Sequence, residues 1–419
     1  MSKDKRWGVS MTDDLFANRV RSEVPSRLNG MFPQMDFPDA IKFTAGSPAE
    51  DLFPRKEMAQ AFADAVATEG NYTFQYHTVT GPQSLREKLA KRATEKMQIE
   101  NIDADNVMLT AGGQQGIDLV AKMLLNRGDS MVVEAPTYVG ALSSFDMYEP
   151  KYYAVQLQSD GMDLDQLETT LKAHPEIKFL YTVSDFHNPG GVTLSVEKRQ
   201  RLVELANRYN FIILEDSPYR DLRYVGKSLP TIKHFDTEGR VIFLSSFSKI
   251  LMPTLRTGWL VASKRIVKQL LKLKEAADLE VPNLTASAIN QYLEKNDLDA
   301  HIDQLNKEYA KRQWAMAKGI RNYLPKEVKA TCPDGGFFTW VTVPDYIDTT
   351  ELLYDHATPE EHIAYVPSKN FYAYKECTNG MRLNFTGLTP VQIDEGMERL
   401  GRVLKEAIAR NQSSISVEN

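Results

Sequence analysis

Lys249 stands in the run Ser245-Ser-Phe-Ser-Lys-Ile-Leu-Met-Pro-Thr-Leu-Arg-Thr-Gly-Trp259, where an amine is set among the parts of a phosphate site. The apolar stretch Val241 to Leu244 leads into it, Ser246 and Ser248 flank the lysine with hydroxyls, and Arg256 follows with a guanidinium. A lysine condenses with an aldehyde only when part of it is deprotonated, and desolvation beside other cations moves its pKa down from ~10.4 towards that condition. Hydroxyls and an arginine fork are suited to holding a phosphate. These residue types point to a covalently held, phosphorylated aldehyde cofactor. The plain alternative is a solvated loop lysine among turn serines.

Other segments offer matching chemistry. Gly380-Met-Arg-Leu-Asn-Phe385 sets Arg382 at the start of an apolar strand, where a guanidinium can grip a carboxylate through two bonds, or serve as a surface ion pair. Leu109-Thr-Ala-Gly-Gly-Gln-Gln-Gly-Ile-Asp118 reads as strand, glycine turn and helix, and free amides at such a helix start attract phosphate. Asp216 and Tyr219 fall three apart just after another strand, an acid and a phenol that would otherwise be turn residues. Tyr138 also follows a strand, where its face could stack on a planar ring or fill core.

The elements that must position these groups alternate. Short apolar strands are predicted at Asn106–Thr110, Ser130–Glu134, Lys178–Val183, Phe211–Glu215, Val241–Ser245 and Thr257–Ala262. Between two of them Leu202, Leu205, Ala206 and Tyr209 recur at helical spacing, with Ser195 as the N-cap. Such alternation implies a mostly parallel sheet between helices, an α/β fold whose ligands gather at the carboxyl ends of the strands. After about residue 290 come long polar helices (Asn290 to Tyr323), a strand segment at Gly335–Val343 and a closing helix near Val391–Arg410. The expected division is an N-terminal arm (1–45) joining the small domain, a large domain (46–290) and a smaller α+β domain (291–419).

The Lys249 run resembles the lysine motif of fold-type I pyridoxal-phosphate enzymes, specifically class I aminotransferases similar to the kynurenine/2-aminoadipate group. The resemblance continues through segments from Gly46 to Arg382. It implies a large domain built on a seven-stranded sheet, and it implies roles. Gly113 and Gln114 amides would grip the cofactor phosphate with Ser246, Ser248 and Arg256. Tyr138 would stack on the pyridine ring, Asp216 would pair with its protonated nitrogen, and Tyr219 and Asn188 would contact its ring oxygen. Asn188 would also lie beside the substrate carboxylate, which Arg382 anchors, while Gly46 approaches substrate through its backbone. Tyr76, in Asn71–Gly81, would reach the partner subunit's phosphate, so that a homodimer shares its active sites. Gly190 replaces a threonine usual in the family, and His187 is read as a packing residue rather than an acid or base.

Composition narrows the remaining choices. With 419 residues, 42% hydrophobic and 25% charged, the chain can bury two substantial cores. Fifty basic against 56 acidic residues give a formal charge of −6, which disfavours nucleic acid as a partner. Two cysteines without metal spacing argue against a disulfide framework or a metal site, and no apolar signal or membrane span is read, so a cytoplasmic protein is expected. The expected activity is transfer of an amino group from an aromatic, 2-aminoadipate-like or broadly hydrophobic amino acid to a 2-oxo acid such as 2-oxoglutarate, by a ping-pong mechanism. Two alternatives stay open: another reaction of the same cofactor, such as β-elimination or decarboxylation, and a non-catalytic sensor related to MocR-type regulators.

Overall fold

The computed structural model describes residues 15–21, 27, 35, 37–374 and 377–417. Its strands are β1 (Ile41–Lys42), β2 (Val107–Thr110), β3 (Ser130–Ala135), β4 (Lys151–Gln158), β5 (Gly161–Met162), β6 (Phe179–Val183), β7 (Ile212–Asp216), β8 (Val241–Ser246), β9 (Gly258–Val261), β10 (Lys329–Ala330), β11 (Phe338–Thr342), β12 (Ile363–Ala364), β13 (Val366–Pro367) and β14 (Gly380–Asn384). The large sheet runs in the order β2-β9-β8-β7-β6-β3-β4-β5. Pairings from β8 through β7, β6 and β3 to β4 are parallel, while β9 lies antiparallel between β2 and β8. Seven strands form the body of the sheet, and the two-residue β5 adds an eighth at the edge through a hairpin with β4.

Every residue of β2, β3, β6, β8 and β9 is buried, because helices cover both faces of the sheet. That accounts for their continuous runs of Val, Ile, Leu and Phe. Strand β4, flanked on its outer side by the two-residue β5, instead mixes buried, half-buried and exposed positions. Ser195 caps the helix Val196–Tyr209 by accepting from the Lys198 amide, as the sequence predicts.

The smaller sheet, β10-β11-β14-β13, is antiparallel, and Trp340 on β11 stands opposite Arg382 on β14. Its core gathers Val341, Met381 and Leu383 with Ile393, Met397 and Leu400 of the last helix, Pro390–Val417. The described part of the arm joins this core: β1 pairs in parallel with β12, and Met35, Ile41 and Phe43 pack inside. Arg27 ties the arm to both sheets' surroundings, donating to Asp146 at 2.5 Å and to the Tyr372 carbonyl at 2.9 Å. Most of residues 1–36 lie outside the described residues.

Residue 290 sits inside the helix Asn283–Lys295. The next helix, Leu298–Tyr323, serves two cores: Leu298, Ile302, Leu305 and Tyr309 pack with the large-sheet side, Ala315 and Met316 with the small. One long amphipathic helix can present different faces to each core along its length. Among the described residues, no helix is long and apolar enough to cross a membrane.

The loop that leads into β11 docks on the large-sheet side without room for a side chain. A Cβ on Gly335 would stand 2.2 Å from the Leu222 carbonyl oxygen and 2.4 Å from Phe186. Gly335→Ala should therefore cost about 1–3 kcal/mol of stability and lower the thermal unfolding midpoint, whereas Gly387→Ala, with nothing within 4 Å, should leave it nearly unchanged; equal melting of both variants would contradict this docking.

Candidate active site

At the carboxyl end of β2 the chain turns through Gly112, whose φ of 79° suits glycine, into the helix Gly113–Leu124. The first amides of that helix have no intrahelical acceptor and face the cavity that Gly113 and Gln114 line. The Gln114 side chain is otherwise engaged, donating to the Gly140 carbonyl at 2.6 Å and to Ser144 Oγ at 2.8 Å. Opposite, the end of β8 brings Ser246 and Ser248 together, Oγ to Oγ at 2.8 Å. Arg256, held at φ 44°, reaches back to the Ala111 carbonyl at 3.2 Å. Its guanidinium fills the space beside Gly112, where a Cβ would come within 2.5 Å. Amides, hydroxyls and a guanidinium thus converge on one end of the cavity. This is the donor set that a phosphate requires.

Lys249 lies in the middle of the same cavity, with Nζ donating to the Gly46 carbonyl at 2.6 Å. Burial first, then the nearby Arg382 and Arg256 charges, bring its pKa down to about 8, with Asp216 opposing. Asp216 closes β7 and is buried; burial pushes its carboxyl up to about 6 against the hydrogen bond from Tyr181 and the charge of Lys249. Tyr181 Oη donates to Asp216 Oδ2 at 2.7 Å. Tyr219 is buried against Phe337 and Phe338, at ring distances of 5.3 and 5.7 Å, and burial raises its phenol well above the usual range. Tyr138 sits so close to the start of its helix that a Cβ on Gly140 would meet the phenol ring at 2.4 Å.

Arg382 is buried on β14 and carries no carboxylate partner among the described residues. Nη1 donates to Asn188 Oδ1 at 3.0 Å, Nη2 to the Thr44 carbonyl at 2.9 Å, and Nε has no hydrogen-bond partner. Its guanidinium is held between Phe338 and Phe371, 4.4 and 5.3 Å from the ring centroids. Burial lowers its pKa to about 10. Asn188 is fixed from behind, since His187 Nδ1 accepts from the Gly190 amide at 3.1 Å and Nε2 stands 3.0 Å from the buried Glu134 carboxylate. Glycine at 190 has a steric cause: a Cβ would meet Leu157 at 2.5 Å and His187 at 3.2 Å.

The cavity, about 300 Å³, brings together Gly46, Gly113, Gln114, Tyr138, Asn188, Asp216, Tyr219, Ser246, Ser248, Lys249, Arg256 and Arg382. Tyr76 is absent from its lining and is 77% exposed. Sequence reading missed Tyr181, Phe338, Phe371 and Thr44; Tyr181 and Phe338 are apolar-run aromatics that pattern alone assigns to core, Phe371 lies in the polar segment Ser368-Lys-Asn-Phe371 without a pattern of its own, and Thr44 acts through its backbone. A phosphate end, a low-pKa amine, a buried carboxylate with one oxygen engaged and a buried guanidinium with a free donor fit pyridoxal phosphate and a carboxylate-bearing substrate.

Comparison with known proteins agrees with this chemistry. The family described as aminotransferase class I and II matches residues 38–400. Aromatic-amino-acid aminotransferase 1 of Thermococcus litoralis is 37% identical, covering 94% of this chain and 95% of the relative. The 2-aminoadipate transaminase of Thermus thermophilus is 33% identical, covering 89% and 92%. The crystal structure of Pyrococcus horikoshii kynurenine aminotransferase superposes with a TM-score of 0.88 at 37% identity, covering 94% of this chain and 98% of that one.

The lowered value of Lys249 gives a pH dependence. Its folded value of about 8 lies below the ordinary 10.5, so the folded protein sheds this proton first, and the group's contribution to stability rises with pH between those values. Condensation of the cofactor-free protein with pyridoxal phosphate, trapped by borohydride and located at Lys249 by mass, should rise with pH through a midpoint near 8; a midpoint near that of a free lysine would contradict the described environment.

Proposed function

The chain belongs to the aminotransferase class I and II family and is a pyridoxal-phosphate-dependent aminotransferase, and on that premise we propose how its residues divide the work. The Gly113 and Gln114 amides, Ser246, Ser248 and Arg256 hold the cofactor phosphate. Tyr138 would stack on the ring, Asp216 would pair with the ring nitrogen, Tyr219 and Asn188 would donate to the ring oxygen, and Lys249 would hold the aldehyde carbon. When bound, the cofactor supplies an aldehyde that accepts the amino group and a pyridinium ring that draws electrons from the substrate Cα.

With cofactor and substrate bound, Lys249 Nζ would take the proton from the substrate Cα, a task suited to an amine that is partly neutral near pH 8. Arg382 grips the α-carboxylate, and Gly46 borders it through its backbone. Phe338 and Phe371 hold the guanidinium plane and keep water from its faces. The same residues serve both halves of a ping-pong exchange, because the donor and the acceptor share a carboxylate beside the reacting carbon. The observation that carries this reading is the buried Arg382, which faces no carboxylate among the described residues while sharing a cavity with Lys249.

Donors are aromatic, 2-aminoadipate-like or broadly hydrophobic amino acids, and the acceptor is a 2-oxo acid such as 2-oxoglutarate. The related aromatic, 2-aminoadipate and kynurenine enzymes support that class. The working unit is a homodimer in which Tyr76 completes the partner's phosphate site. The exposure of Tyr72, Phe74 and Tyr76 along Gly70–Tyr76, and of Arg256 at the phosphate end, supports it. A cytoplasmic setting is consistent with Cys332 and Cys377, both free thiols.

Addition of single amino acids to the cofactor-loaded protein should convert its visible absorbance band to that of the aminated cofactor for members of this donor class, with the band restored by 2-oxoglutarate. Lys249→Ala should bind cofactor yet convert the band at least about a hundredfold more slowly, and Arg382→Gln should raise the donor KM roughly a hundredfold. A bound band that no amino acid converts would favour the elimination, decarboxylation or sensor alternatives.

A further inference from the structure

Tyr181 is wholly buried on β6, edge-on to Phe145 at 5.4 Å and 71°. In the parallel register Val183 stands opposite Asp216 and Tyr181 opposite Leu214. Residues two apart on a strand share a face, so Tyr181 lies one pleat behind the face from which Asp216 projects. A phenol is long enough to span that pleat along the strand. It ends at Asp216 Oδ2, 2.7 Å away. Among the described residues it is the one side-chain donor to that carboxylate. We propose that Tyr181 is a positioning residue for transamination: by holding Oδ2 of Asp216, it fixes the carboxylate with Oδ1 free and keeps it ionised, so that the proton stays on the cofactor's ring nitrogen. This rests on the pairing of Asp216 with that nitrogen proposed above.

The charges around the pair are consistent with this role. Tyr181 faces Asp216 from β7, Glu134 from β3 and the Tyr138 phenol after β3; burial first, then the charge of Asp216 with that of Glu134, keeps its own phenol protonated and a donor. Asp216 faces Tyr181 and Lys249, and these two oppose the burial that would neutralise it. Lys249 moves during the reaction, whereas Tyr181 is fixed in the sheet. The hydrogen bond is therefore the counterweight that remains when the lysine leaves. Without it the carboxylate is a stronger base, takes the proton from the ring, and weakens the electron sink.

The test uses Tyr181→Phe and Asp216→Asn as full-length proteins loaded with pyridoxal phosphate, reading the pH midpoint of the bound cofactor's visible band and the rate at which a donor amino acid converts it. Loss of a positive ring nitrogen makes the neighbouring imine nitrogen more basic. Tyr181→Phe is expected to move the midpoint upward by about one pH unit and slow conversion roughly tenfold, the size of one lost charge-assisted hydrogen bond, with Asp216→Asn moving both further. Fluorotyrosine placed at 181, a stronger donor of nearly the same shape, is expected to move the midpoint the other way, which a packing role would not do. An unmoved midpoint in Tyr181→Phe alongside a shift in Asp216→Asn overturns the role of Tyr181 alone. An unmoved midpoint in Asp216→Asn overturns the assignment of Asp216, and this inference with it. If the phenylalanine variant fails to fold, a fluorotyrosine midpoint that stays put or moves upward overturns the proposal.

Discussion

Three cations, Lys249, Arg256 and Arg382, share one cavity with a single carboxylate, Asp216, and the rest of the site depends on that imbalance. Concentrating positive charge in a partly dehydrated space is costly unless anions arrive to offset it. On the proposed assignment, a cofactor phosphate and a substrate carboxylate bring negative charge to the two places where Arg256 and Arg382 stand. The same imbalance, added to burial, makes Lys249 neutral far more often than a surface lysine. Charge therefore selects the ligands and activates the amine at once.

The fold meets this requirement by ending β2, β3, β6, β7 and β8 at one edge of the sheet. Each end hands a different group to the cavity: helix amides, the Tyr138 phenol, Asn188, a carboxylate with the Tyr219 phenol, and the lysine with two hydroxyls. Rigidity comes from the burial of these strands, complete but for Ile212 of β7, and from close approaches that tolerate no side chain, such as Gly112 against Arg256 and Gly140 against Tyr138. Groups held this way need little reorganisation when charge develops in the reaction.

The substrate end is built differently, from parts that do not belong to the large sheet. Arg382 comes from β14, its flanking rings from Phe338 on β11 and from Phe371, and its carbonyl partner from Thr44 beyond β1. Among the described residues, Asn188 is the hydrogen-bond partner that reaches it from the large-sheet side. His187 and Glu134, buried behind Asn188, hold the shared point of contact.

Much of the chemistry was legible in the sequence because its groups sit in short segments at the ends of apolar strands: the Lys249 run, the glycine turn at Gly112 and Gly113, and Asp216 with Tyr219; Arg382 instead stands inside β14. Burial of those strands on both faces writes a continuous apolar signal, and local spacing then places the functional residue at the strand end. Strand β4 was not legible, since Lys151-Tyr-Tyr-Ala-Val-Gln-Leu-Gln158 mixes buried and exposed positions instead of forming an apolar run. Nor was the packing of the helix Leu298–Tyr323 into two cores. Tyr181 and Phe338 read as core in any one-dimensional pattern, because an aromatic ring in an apolar run carries no mark of what lies at its tip or face, and Phe371 sits in a polar segment that carries no periodic signal. Sequence by itself determined which functional groups exist and on which strand ends they stand; tertiary structure decided which of them meet, since hydrogen bonds and ring contacts between β6 and β7, or between β11 and β14, depend on register and pleat rather than on neighbours along the chain.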